Sequence, residues 1–235
     1  MPQIIIEDIR YQAEDVRNHW AAANTELAQP IVLPDGFAHA DFVALHQQLV
    51  DIDEQIIGQE NVRQGAKRGM ELLGEPLSTV IPRFNLTVRA LLPESTSVDV
   101  LERAPTPSEA RAKRIGAMER TARLWEVVNL NNPPYPGFVP PLVLADGTTR
   151  AQFVADLDDY RLATGENAEA TQDERMARAA RRDLAEQAWR RMVEYRLVAQ
   201  ALLMANWPLL QTIPRISPRR KRKKKASENE SPVEP

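Results

Sequence analysis

Two stretches of this chain are near copies of each other, and that repetition constrains the fold more than any other feature. Residues 31–44 and 142–155 agree at eight of fourteen positions. Val32, Leu33, Asp35, Gly36, Ala40, Phe42, Val43 and Ala44 recur as Val143, Leu144, Asp146, Gly147, Ala151, Phe153, Val154 and Ala155, always 111 residues later. The same offset returns downstream without a gap: Leu73, Glu75, Leu86, Ala90, Leu91 and Leu92 match Leu184, Glu186, Leu197, Ala201, Leu202 and Leu203. Upstream the offset is 105, where Trp20 and Asn24 face Trp125 and Asn129, and a longer linker at 131–141 accounts for the difference. Self-similarity at a fixed offset marks a duplicated structural unit. The chain therefore divides into a first copy, 1–105, a second copy, 106–216, and a tail, 217–235.

Each copy reads as helical. Ile9, Ala13, Val16, Trp20, Ala23 and Leu27 recur at spacings of three and four, one stripe of an amphipathic helix. In the second copy the matching stripe is Ile115, Met118, Ala122, Trp125 and Val128. An Asp-Gly turn follows in both, at Asp35-Gly36 and Asp146-Gly147, with chemistry suited to reversing the chain and entering a helix. A longer apolar stripe comes next. In the first copy it is Phe42, Leu45, Leu49, Ile52 and Ile56, then Leu77, Ile81, Phe84, Val88 and Leu91. In the second, Phe153, Leu157 and Tyr160 precede Ala188, Met192, Tyr195, Ala199 and Leu202. Gly58, Gly65, Gly69 and the sequence Gly74-Glu75-Pro76 predict a helical hairpin, with its turn near 58–61 and a second break at 74–76. Pro82 predicts a kink. In the second copy Gly165 to Asn167 predicts the turn, with 171–173 capping the next helix. The expected fold is all-α: two tandem helix–linker–helical-hairpin repeats packed as a pseudo-two-fold bundle, with a disordered basic C-terminal tail. A hairpin alone leaves one stripe exposed, and packing hairpin on hairpin covers it.

Nine Gly, 6% aromatics and 43% hydrophobic residues suit such a helical core. With no Cys, disulfides and thiolate chemistry are excluded. No apolar run reaches the roughly 18–20 residues that span a bilayer, and the N-terminus lacks a signal pattern, so a cytoplasmic address is expected. The Pro-rich linker 131–141 reads as an extended spacer lying against its own domain. Trp20, Trp125, Trp189 and Trp207 read as core anchors.

Catalytic patterns are missing. His39 and His46 lie seven apart, and the second copy has Arg150 and Leu157 in their places, so neither they nor His19 suggest a metal site. The acids Asp156, Asp158 and Asp159 lack the spacing of a calcium loop. The Asp-Gly carboxylates are best read as helix entries. No phosphate-binding glycine loop or nucleophile elbow occurs. Neither catalytic residues, metal ligands nor cofactors are assigned, and an enzyme is disfavoured.

Charge supplies the one sharp feature. Residues 1–214 hold 22 basic and 30 acidic residues, whereas Arg219, Arg220, Lys221, Arg222, Lys223, Lys224 and Lys225 form an unbroken cationic run. The leading expectation is a non-enzymatic structural or protein-interaction protein that self-associates through its long helices, as a homo-oligomer or with a protein partner. The alternative is a nucleic-acid-associated protein tethered by those seven residues, through contacts that salt would weaken. No aromatic residue interleaves the run, so base stacking is not suggested.

Overall fold

A computed structural model describes residues 6–106, 108–132 and 134–216. It contains five α-helices: α1 (Ile6–Glu26), α2 (His39–Leu91), α3 (Arg111–Leu130), α4 (Arg150–Leu202) and α5 (Trp207–Gln211). Short 3-10 turns occupy Thr96–Val98 and Leu203–Ala205. Among the described residues there is no β-strand, only two isolated bridges, Val32 with Ala38 and Val143 with Thr149. The tail, 217–235, lies outside the described residues.

The expected hairpins do not form. α2 and α4 are each continuous over 53 residues, and their bounds are 111 apart at both ends. The stripe explains why. Ile56 and Met70, both buried, are 14 residues apart, close to four helical turns, so the apolar phase continues across the glycines. Gly58, Gly65 and Gly69 lie on the exposed side. Each costs about 1 kcal/mol relative to Ala, less than breaking a helix with buried side chains on both flanks. Pro76 and Pro82 also lie on the exposed side of α2. There the carbonyls deprived of a donor can reach water, and Ser78 and Thr79 hydroxyls donate to the Gly74 and Pro76 carbonyls at 2.8 and 2.7 Å. In α4 the expected turn is helical too, and Thr171 donates back to the Asn167 carbonyl at 2.7 Å.

The chain forms two compact units that do not follow chain order. Unit 1 comprises residues up to Ile57 and from Arg175 onward, and unit 2 runs from Gly58 to Glu174. Each unit thus holds part of α2 and part of α4.

In unit 1, α1 buries Ile9, Ala13, Val16, Trp20 and Ala23 against Phe42 and Leu49 of α2 and Ala188, Met192 and Tyr195 of α4. The α2 and α4 segments run antiparallel. Asp53 meets Arg181 at 2.5 Å, while Asp35, eighteen residues earlier, meets Arg191 at 2.7 Å, ten residues later. In unit 2, α3 buries Met118, Ala122, Trp125 and Val128 against Leu77, Ile81, Phe84 and Val88 of α2 and Phe153, Leu157 and Tyr160 of α4. Phe138 of the Pro-rich linker is buried in this core, with Tyr135 packed against it.

The same contacts occur at matching positions. Trp20 stacks on Tyr195 at 4.5 Å and tilts on Phe42 at 5.7 Å. Trp125 meets Phe84 at 5.0 Å and Phe153 at 5.9 Å. Each indole N–H donates at 3.1 Å to the carbonyl of the first residue of the repeated stretch, Ile31 or Leu142. Asn24 and Asn129 accept the N–H of those same residues, both at 2.8 Å. In the turns Gly36 and Gly147 take φ of +87° and +85°, a backbone region that glycine enters without strain.

Both long stripes end one residue later than expected. Leu91 and Leu202 are exposed, whereas Leu92 and Leu203 are buried. A step of four from Val88 or Ala199 keeps the stripe's face as well as a step of three does.

Candidate functional site

The seven cations proposed from sequence, Arg219 to Lys225, lie outside the described residues. The remaining candidates all lie within them.

The three histidines go to separate structural posts. The Tyr195 hydroxyl donates to His19 Nδ1 at 2.6 Å, and His19 Nε2–H donates to the Leu209 carbonyl at 3.0 Å, fixing α5 to the unit 1 core. Burial pushes the Tyr195 phenol well above its ordinary range. The second copy has Leu124 and the first Phe84 at the matching positions, so this polar pair belongs to unit 1 alone. His39 Nε2 donates to the Arg17 carbonyl at 3.1 Å. His46 is buried, and its Nδ1 accepts from Arg17 at 3.4 Å while Nε2 has no partner. Burial, reinforced by the Arg17 guanidinium, lowers its pKa. Among the described residues no group of three or more His, Asp or Glu is placed to hold a metal.

The two Asp-Gly carboxylates act as clamps. Asp35 accepts from the Phe37 N–H at 3.2 Å and from Arg191 at 2.7 Å, and these contacts lower its pKa, the backbone bond first. Asp146 accepts from the Thr148 N–H at 3.0 Å and from Arg83 at 2.5 Å, and its pKa is lowered too, through Thr148 first. Both carboxylates stay ionised and occupied, which suits turn closure and leaves them poor proton acceptors.

Unit 1 has a groove of about 640 Å3 beside the first of these turns, lined in part by Asp35, Asp41, Gln48, Gln187, Arg190 and Arg191. Its charges are already engaged. Arg191 pairs with Asp35 and Glu194 and sits 4.3 Å over the Phe37 ring. Arg190 pairs with Glu186, and Asp41 caps the Ala38 N–H at 2.8 Å. The groove offers no nucleophile beside a base.

The surface carries a clearer signal. Leu86 and Leu197 are 68% and 63% exposed, and Leu91 and Leu202 are 45% and 53% exposed. These are residues that the two copies share, yet neither core uses them. Sequence periodicity passes over them because it finds buried stripes; the usable clue was identity between the copies off the stripe. The tryptophans divide as well. Trp20 and Trp125 are fully buried and Trp189 packs at the edge of the unit 1 core, but Trp207 is 64% exposed. Trp207 opens α5, where Asn206 caps the Leu209 N–H, and the helix turns Leu209 and Leu210 inward instead.

No family model, curated protein or solved structure matches this chain.

Proposed function

We propose that this chain is a non-enzymatic structural protein that self-associates through the surface leucines its two copies share. The supporting observation is the exposure of Leu86 with Leu197, and of Leu91 with Leu202, at matching positions. Large apolar side chains outside any core have no packing reason to be identical in two otherwise divergent copies. A shared contact supplies one.

Copies 1–105 and 106–216 share one design, with long helices exchanged so that each compact unit draws on both. A pseudo-two-fold relation between the copies is part of it. Arg63 forms an ion pair with Glu174, which is its own counterpart 111 residues on. A residue meets its counterpart only close to such an axis. Because equivalent exposed leucines occur in both copies, assembly can extend beyond a dimer.

Light scattering of the full chain across a range of concentrations tests this. An oligomer is expected that persists when residues 217–235 are removed. The double variant Leu86→Glu, Leu197→Glu should be monomeric with an unchanged helical circular dichroism spectrum. A wild-type chain that stays monomeric at high concentration would overturn the proposal.

A further inference from the structure

Between Glu194 and Glu228 the chain has no acidic residue, a span of 33 positions in a protein whose residues 1–214 are otherwise predominantly acidic. The span includes Arg196, Arg215 and the cationic run 219–225. It also includes the barest apolar surface of unit 1. Met204 is 75% exposed and Trp207 64%, with Ala201, Ala205 and Pro208 exposed around them. On the helical phase, Ala201 and Met204 point away from the buried Tyr195, Ala199 and Leu203. Downstream, Ile213 and Ile216 pack at the edge of the unit 1 core, so the chain is held to the unit as far as Ile216. The cationic run starts three residues later in the sequence. The positions in the first copy that match Met204 and Trp207 are Pro93 and Thr96. Met204 and Trp207 therefore belong to the second copy alone, with the shared Ala201 and Leu202 beside them in the chain.

We infer that this end of unit 1 docks on an anionic lipid surface, with Trp207 and Met204 entering the headgroup region and the 219–225 run held by the charged lipids. The chemistry selects this partner. Indole is the side chain best suited to the boundary between headgroup and acyl chain, apolar in its body and able to donate a hydrogen bond from its N–H. Neither Trp207 nor Met204 would serve a phosphate backbone, and no aromatic interleaves the basic run to stack on bases. A second copy of this chain would bring the same cations to the same place and be repelled. A single weak anchor binds membranes only marginally, and an apolar contact combined with a polybasic segment holds firmly. Among the described residues no helix is long and apolar enough to cross a bilayer, so the contact is with the surface.

Sedimentation of the full chain with lipid vesicles tests the inference. Binding is expected to vesicles holding about 30% phosphatidylserine at about 0.15 M salt, and not to pure phosphatidylcholine. Replacing both exposed side chains (Trp207→Ser, Met204→Ser) should weaken binding roughly tenfold, as loss of one of two anchors predicts. These positions are exposed, so an unchanged thermal melt is expected and serves as the folding control. Lys221→Gln, Lys223→Gln, Lys224→Gln and Lys225→Gln together should reduce binding to the phosphatidylcholine level. A failure to bind anionic vesicles would overturn the inference. So would binding that ignores the Trp207 and Met204 changes, since the tail would then act as a bare polycation. Displacement from vesicles by equimolar single-stranded RNA would also overturn it, in favour of nucleic acid. Self-association is read separately by light scattering, so the two proposals stand or fall apart.

Discussion

A methyl group at Gly74 would lie 2.7 Å from Cε2 of the Tyr160 ring, closer than carbon atoms approach without something shifting. Tyr160 is almost wholly buried and cannot swing away. Gly74→Ala should therefore destabilise by about 1–3 kcal/mol, the usual cost of overpacking, measured by urea denaturation. The matching positions in the unit 1 core hold Ala185 and Leu49, a larger residue in place of the glycine and a smaller, ring-free one in place of the tyrosine. The double variant Gly74→Ala, Tyr160→Leu imitates that pair and should recover most of the loss. His46 gives a second prediction at this scale. Its folded pKa lies below the ordinary 6.5, so the folded state prefers the neutral ring. The associated stability is complete above about pH 6.5 and declines as the pH falls below it, where the unfolded chain takes up a proton that the folded chain resists. Groups facing the ring include Arg17, Glu14 and Arg10, of which Glu14 alone favours the charged form. His46→Leu, which places there the residue found at 157, should flatten the acid limb of a stability–pH curve relative to wild type.

Continuity of α2 makes its exposed glycines stabilisable. A Cβ at Gly65 would meet no atom within 4 Å, so Gly65→Ala should raise stability by about 0.5–1 kcal/mol, the helix-propensity difference. The gain would be read as a higher urea midpoint with unchanged slope. A chain that turned near this position would gain nothing. The contrast with Gly74 shows what the sequence does and does not reveal about the elements. Helix type and phase are legible, because Trp20, Phe42, Trp125 and Phe153 recur in register and periodicity follows directly from burial. Helix ends are less so. Gly58, Gly165 and Pro76 carry real local preferences for a break, but those preferences amount to a few kcal/mol and are overruled by stripes that continue on both sides, a tertiary effect that no local window contains. The exposure of Trp207 was illegible for the opposite reason, since periodicity reports what is buried, and Leu86 stood out only as an identity between the copies off the stripe.

At the scale of the whole chain, each compact unit draws on both sequence copies, and this sets how fragments should behave. Residues 1–105 expressed alone lack the α4 segments on which Trp20 and Phe84 depend for their surroundings, and 106–216 alone lack the α2 segments. Each fragment is expected to show reduced helicity and no cooperative thermal transition by circular dichroism, whereas an equimolar mixture should regain both. The Arg63–Glu174 pair, in which position 63 faces its own counterpart, says why the mixture is favoured. Two first copies brought together would set arginine against arginine and leave Leu49 opposite Gly74 with a gap. Two second copies would set glutamate against glutamate and press Tyr160 on Ala185. Only the unlike pairing is free of both faults. On the proposed pairing each half is the other's complement, so removing either one would leave the apolar stripes of the remaining half uncovered.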